Sequence, residues 1–465
     1  MSYTILQSMF NENPSNTWVF VGGEETAGSY AQCGFARNFV GQFEEYIRWT
    51  KASSEFSRQR YMINSGKSGY HMDTINANFV DLVTRFNPKA VVYLVSKEDL
   101  EISDQPKFKE ILYLFIKKSL SLRAETSYCI LITPHADKDP VQNQKAKACT
   151  QVIQELYQSL SLLQKKRVLL IPCYEKTNTP EFIEKCFQPN GMLNAVGHLF
   201  LGKVLSLFTY GSIAGFPVSS QEVQTLPGTS EAKVALRESI SSPALLNNFQ
   251  QEIRRQLNAT SSAVWLFIGD SITHGALHTH GFNSIHQIFE KYIHETYGRK
   301  NDTIINTGVS GATTQSQLQH STERFDLYPA DFVVIMFGTN DAASSETISL
   351  SKFKKNLVLL IEAARKKHAI PILRTPNPIR SKDEREKMLP SYVEAIREVA
   401  KEQKVLLVDH FSEWMRMLEK YPFLLEEGNW NGDAIHPNTL GQLQMTQSLI
   451  KSCGLWKENN YFMKL

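Results

Sequence analysis

The residues able to do chemistry cluster in the second half of the chain. Gly269-Asp270-Ser271 follows the apolar run VWLFI and precedes a helical pattern. That puts the serine at the carboxyl end of a strand, where open parallel sheets bind their ligands. Asp433-Ala434-Ile435-His436-Pro437 stands ahead of the last helical run. A serine hydroxyl is a weak nucleophile until a base takes its proton, and the base needs a partner that fixes its tautomer and supports its charge. A carboxylate three residues before a histidine supplies both parts locally. Gly308 in INTGVSG and Asn340 in FGTND each follow a strand. A glycine backbone N–H and an asparagine amide can donate to the oxygen that becomes negative in acyl transfer, where one donor is worth ~3–4 kcal/mol. Singly, each residue has an ordinary explanation: a helix cap, a turn aspartate beside a histidine, a tight loop, a self-bonded turn. Only the set points to acyl chemistry.

Positioning that set requires strands with crossover helices. Short β-branched runs at about 264–268, 303–306, 332–337, 370–374 and 404–408 alternate with amphipathic stretches, the rhythm of a parallel α/β sheet. Phe353, Leu357, Leu360, Ile361 and Ala364 follow helical spacing, as do Tyr392, Val393, Ile396 and Val399. The first half repeats the rhythm at about 18–22, 60–63, 90–95, 128–133 and 167–172, and four segments recur in the same order. WVFVGGEETAG pairs with WLFIGDSITHG, INSGKSG with INTGVSG, AVVYLVSKED with FVVIMFGTND, and NAVGHLFLG with NTLGQLQMT, displaced by 242 to 247 residues. The pattern predicts a duplicated α/β unit: 1–210, a connector with a helix over 211–260, and 261–465. On this repeat Ser271 falls on Glu24, Asp270 on Gly23, Asn340 on Glu98, His436 on Met192 and Asp433 on Pro189, and only Gly66 matches, against Gly308. The first unit is therefore expected to be unable to carry out this acyl chemistry. It would pack on the catalytic unit or mediate oligomerisation.

Bulk composition narrows the partners. Among 465 residues, 50 Lys and Arg against 47 Asp and Glu leave a net charge of +3, with none of the basic excess that nucleic-acid binding uses. The chain is 42% hydrophobic and 21% charged, enough apolar residues for ordinary cores. No run approaches the ~20 apolar residues of a membrane span, so no membrane partner is expected. The opening residues MSYTILQSMFNENPSNTW lack a basic stretch followed by an apolar one, which predicts no secretory leader and a cytoplasmic protein. The six cysteines show no CxxC pair and read as free thiols, with Cys129, Cys173 and Cys453 as core residues.

The blocks GDS, GxSG, GTND and DxxHP occur in this order over 263–446, and together they resemble the SGNH (GDSL-type) hydrolase family. The resemblance implies two flavodoxin-like three-layer α/β/α domains, each with a five-stranded, mostly parallel sheet, and ester hydrolysis without metal or cofactor. Carried over by position, Ser271 would be the nucleophile, His436 the base and Asp433 its orienting carboxylate. Backbone N–H groups of Ser271 and Gly308 and the Asn340 side chain would form the oxyanion hole, with Asp270 shaping the turn. The resemblance further implies a short-chain, acetyl-type ester of a small molecule or carbohydrate as substrate. An O-acyltransferase using the same triad, or a non-catalytic paired scaffold, are the alternatives. His274, His278 and His280 are candidate substrate contacts, as is Trp430 with Asn429 and Asn431 beside it. No acidic residue is spaced to complete a metal site with those histidines.

Overall fold

The computed structural model describes residues 16–460 apart from 52–57, 103, 124–125, 214–215, 217, 240–247, 345–347 and 459. Most of the opening stretch read above for a leader, residues 1–15, lies outside that set. The chain divides into two compact units between Gln224 and Thr225. The break falls inside the 211–260 segment, whose helices Ser230–Glu238 and Asn248–Ala259 are part of the second unit.

In the first unit, β1 (Asn16–Val21), β2 (Arg60–Asn64), β3 (Ala90–Leu94), β4 (Tyr128–Ile132) and β5 (Val168–Ile171) form one sheet in the order β2-β1-β3-β4-β5. Every pairing in it is parallel. The second unit has β6 (Val264–Gly269), β7 (Thr303–Asn306), β8 (Phe332–Met336), β9 (Ile370–Arg374) and β10 (Leu406–Val408). Its order, β7-β6-β8-β9-β10, is the same, and again every pairing is parallel. This is the flavodoxin-like arrangement, in which chain direction across the sheet switches beside the first strand and leaves a crevice at the strand ends. Each strand lies within two residues of the run that predicted it. Helices flank both sheets, and the apolar stripes read from spacing are the buried faces of Leu350–Lys366 and Glu384–Gln403.

Central strands covered on both sides must be apolar at every position, not at alternate ones, and β6 and β8 are buried throughout. Trp265 of β6 stacks on Phe332 of β8 with ring centroids 3.9 Å apart. The six cysteines are free, and all but Cys149 are buried. Among the described residues no helix is long and apolar enough to cross a membrane.

The same devices hold the loops after the first two strands of each unit. Asn306 Oδ1 accepts from Gly308 N at 3.0 Å while its Nδ2 donates to Thr273 O at 2.9 Å. In the first unit Asn64 Oδ1 accepts from Gly66 N at 3.0 Å and its Nδ2 donates to Thr26 O at 2.9 Å. A Cβ on Gly308 would fall 2.8 Å from the backbone nitrogen of His274, and one on Gly66 would fall 2.5 Å from that of Ala27. Backbone on both sides cannot yield cheaply. Gly308→Ala and Gly66→Ala should therefore each cost about 1–3 kcal/mol, as overpacked sites do. Calorimetry of the whole chain should show a drop of several degrees in one thermal transition; unchanged transitions in both variants would overturn this account.

Candidate active site

A four-residue helix, Ser271–His274, leaves the end of β6, capped by Asp270, whose Oδ1 accepts from Ile272 N at 2.9 Å. Burial raises the Asp270 carboxyl to about 6, against the Ile272 hydrogen bond. Arg374 at the end of β9 is also buried, which lowers it to about 9, and its Nε meets His410 Nε2 at 2.9 Å. Ser271 begins the helix half-buried, with its Oγ 2.9 Å from His436 Nε2. His436 Nδ1 lies 2.9 Å from Asp433 Oδ2. Asp433 Oδ1 also accepts the backbone N–H groups of Ile435 at 2.8 Å and His436 at 2.7 Å. Partial burial opposes the charge on Asp433, but the bonds from His436 outweigh it and hold the carboxyl well below its usual range. Asn438 then caps the buried helix Thr439–Ser452, anchoring the loop that presents both residues. Serine, imidazole and carboxylate are thus linked end to end.

The donors depart from expectation at one position. Gly308 N–H is committed to Asn306, so its assignment to an oxyanion hole is corrected: this glycine is needed for close packing. The Asn-x-Gly spacing was the available signal, since an asparagine side chain readily accepts from the N–H two residues on. Gly311, three residues later, is exposed with φ +89 and open space around its Cα. No acceptor among the described residues takes its N–H or that of Ser271. Asn340 Nδ2 donates to Ala312 O at 3.0 Å, which holds its amide against the Gly311–Ala312 segment with a second N–H in hand. Asp341 ties the two loops together, accepting from Thr314 N at 3.0 Å and Gly338 N at 3.2 Å. The first unit gives an internal parallel. Gly69 N, the counterpart of Gly311, donates to a carboxyl oxygen of Glu98 at 3.3 Å, so that position does meet an oxygen acceptor.

Several candidate substrate contacts are occupied elsewhere. Trp430 is fully buried, bonded to Ala232 O at 3.0 Å and packed edge-on against Trp414. Asn429 and Asn431 are buried as well. These three build the core beneath the loop and offer no sugar face, which corrects the reading from their types alone. His274 is buried with Nδ1 2.9 Å from Ser310 Oγ. His280 is exposed at φ +47. His278 alone reaches the triad, and the acidic neighbour that spacing did not provide arrives from far along the chain. His278, Asp433 and His436 offer three ligating atoms within 4.8 Å of one another. The two imidazoles, however, lie in planes only 1° from parallel with centroids 3.9 Å apart. Their in-plane lone pairs cannot converge on one ion without a ring turning.

Residues 267–443 match the GDSL-like Lipase/Acylhydrolase family. An uncharacterized Mycoplasma pneumoniae protein is 34% identical over 109 residues, 23% of this chain and 12% of its own length. The Bacillus subtilis protein named uncharacterized lipoprotein YqeF is 37% identical over 120 residues, 24% of this chain and 49% of its own. The chain thus spans less than half the length of either. An acetylxylan esterase of Geobacillus stearothermophilus is 25% identical over 210 residues, 41% of this chain and 93% of its own. The solved structure of an acetylxylan esterase from that organism is 21% identical, covering 42% of this chain and 97% of its own, with a TM-score of 0.36. The second unit thus contains the stretch that is similar to the GDSL-like Lipase/Acylhydrolase family.

Proposed function

We propose that the second unit is a serine esterase that removes acetyl or other short acyl groups from O-acylated carbohydrate. The observation that carries this reading is the continuous path from Ser271 Oγ through His436 to Asp433, two contacts of 2.9 Å. His436 Nε2 takes the hydroxyl proton as Ser271 Oγ attacks the ester carbonyl. Asp433, held ionised, supports the imidazolium. Ser271 N–H, Gly311 N–H and the second Asn340 amide hydrogen face the developing oxyanion. His436 returns the proton to the leaving alcohol, and the acyl group stays on Ser271. Water then attacks with His436 as base, freeing the acid and restoring the serine. The carbohydrate acetyl ester as substrate is supported by the relative named acetylxylan esterase.

The first unit is read as a degenerate copy of the second. It keeps the folding devices, Asn64 with Gly66 and Asp99 in the place of Asp341, whereas Glu24, Glu98 and Met192 replace the reacting groups.

With p-nitrophenyl acetate and acetylated xylooligosaccharides as substrates, Ser271→Ala should lose at least ~10³-fold in kcat. Equal turnover by wild type and variant would refute the triad. If wild type is slow until a sugar acceptor is added, the acyl group passes to a hydroxyl and not to water. Asn340→Ala should lower kcat by roughly 10²–10³-fold, the usual effect of removing one oxyanion donor; a change confined to KM would take Asn340 out of that role. Glu24→Ala combined with Glu98→Ala should leave ester hydrolysis intact, and a hundred-fold fall in kcat would contradict an inactive first unit.

A further inference from the structure

His278 lies flat against the proposed base. The two rings are 3.9 Å apart between centroids and 1° from parallel, a closer and flatter contact than most aromatic pairs adopt. His278 Nδ1 is 3.4 Å from Asp433 Oδ2, the same oxygen that His436 Nδ1 meets at 2.9 Å. Two imidazoles therefore converge on one carboxylate atom.

The loop carrying His278 is built to hold it there. Leu277 and His280 have positive φ of 58 and 47, a conformation that costs a non-glycine residue energy and persists only where the surroundings enforce it. His278 N donates to Ala276 O at 2.6 Å, and Thr279 O accepts from Thr439 Oγ1 at 3.2 Å, joining this loop to the helix that follows the triad loop. Gly432, next to Asp433, leaves the space: a Cβ there would come within 2.8 Å of His278 O and 3.0 Å of its Cβ. Burial, and then the neighbouring His436, lower His278 to about 4. It is neutral at neutral pH and puts no second positive charge on the stack.

We propose that His278 is a positioning residue: its flat ring, seated on His436 and sharing Asp433, stops the base from turning between its successive proton transfers. This rests on the Ser271–His436–Asp433 reading. During catalysis His436 must face Ser271 Oγ, then the leaving oxygen, then water, with Nδ1 kept on Asp433 throughout. A rigid plane on one side permits small tilts and blocks rotation about the Cβ–Cγ bond. It also keeps water off that side of the ring.

The test compares wild type, His278→Ala, His278→Phe and Ser271→Ala on p-nitrophenyl acetate, with thermal midpoints as a check on folding. His278→Ala should lower kcat about 10- to 100-fold, as misplacement of a reacting group does. KM should stay within about 2-fold, the sign of an interaction used in the reaction and not in binding. His278→Phe keeps a flat ring without Nδ1 and should recover most of the lost kcat. Should His278→Ala not fold, His278→Leu, bulky but not flat, takes its place. Wild-type kcat in His278→Ala while Ser271→Ala is inactive would overturn the proposal and leave the triad standing. Equal losses in the alanine and phenylalanine variants would also overturn it. Activity retained by Ser271→Ala would instead remove the triad reading beneath it.

Discussion

The triad proposed for the second unit depends on a carboxylate that must stay charged while partly withdrawn from water. Asp433 meets that constraint by collecting N–H groups: two from the backbone just ahead of it in sequence, one from the His436 ring, and a longer contact from His278. A group with so many donors gains little from a proton of its own. The ring bonded to it has one tautomer left, with Nδ1–H toward Asp433 and a lone pair on Nε2 toward Ser271. The Asp433 loop, the Gly432 gap and the capped helix behind them exist in a form that serves this single contact.

The sheet supplies the meeting place. Ser271 comes from the end of β6, Gly311 follows β7, and Asn340 follows β8, so three adjacent strands deliver their loops to one crevice. Asp341 and Asn306 do the fine setting by bonding the loops to one another. This separates two kinds of polar role within a few residues. Asp341 and Asn306 shape backbone; Asn340 and Gly311 are the donors of the proposed oxyanion hole.

Much of this was legible in the residues. Strands buried on both faces declare themselves as unbroken apolar runs, which is why all ten were placed within two residues. Ser271 was readable as a helix start and Asp433 with His436 as a pair in one turn, whereas their meeting as a candidate triad across 165 residues was readable only from the family blocks. What escaped was set by one local side chain in the Gly308 loop and otherwise by partners distant in sequence. Gly308 and Gly311 are both glycines in one loop, and only the Asn306 side chain decides which N–H is used up. Trp430 and its asparagine neighbours look like a sugar platform until the core around Trp414 and Ala232 closes over them. His278 lies 158 residues from His436 along the chain, and no periodicity links them.

The Glu98 carboxyl on Gly69 N–H has a consequence for anyone who would build the proposed chemistry into the first unit. That unit holds, within its own chain, the type of group an inhibitor would place there. A serine set at position 24 alone would put a hydroxyl beside an occupied site, and a histidine set at position 192 alone would be a base with nothing to activate. Neither change is rewarded without the other and without clearing Glu98, so the substitutions would have to be made together.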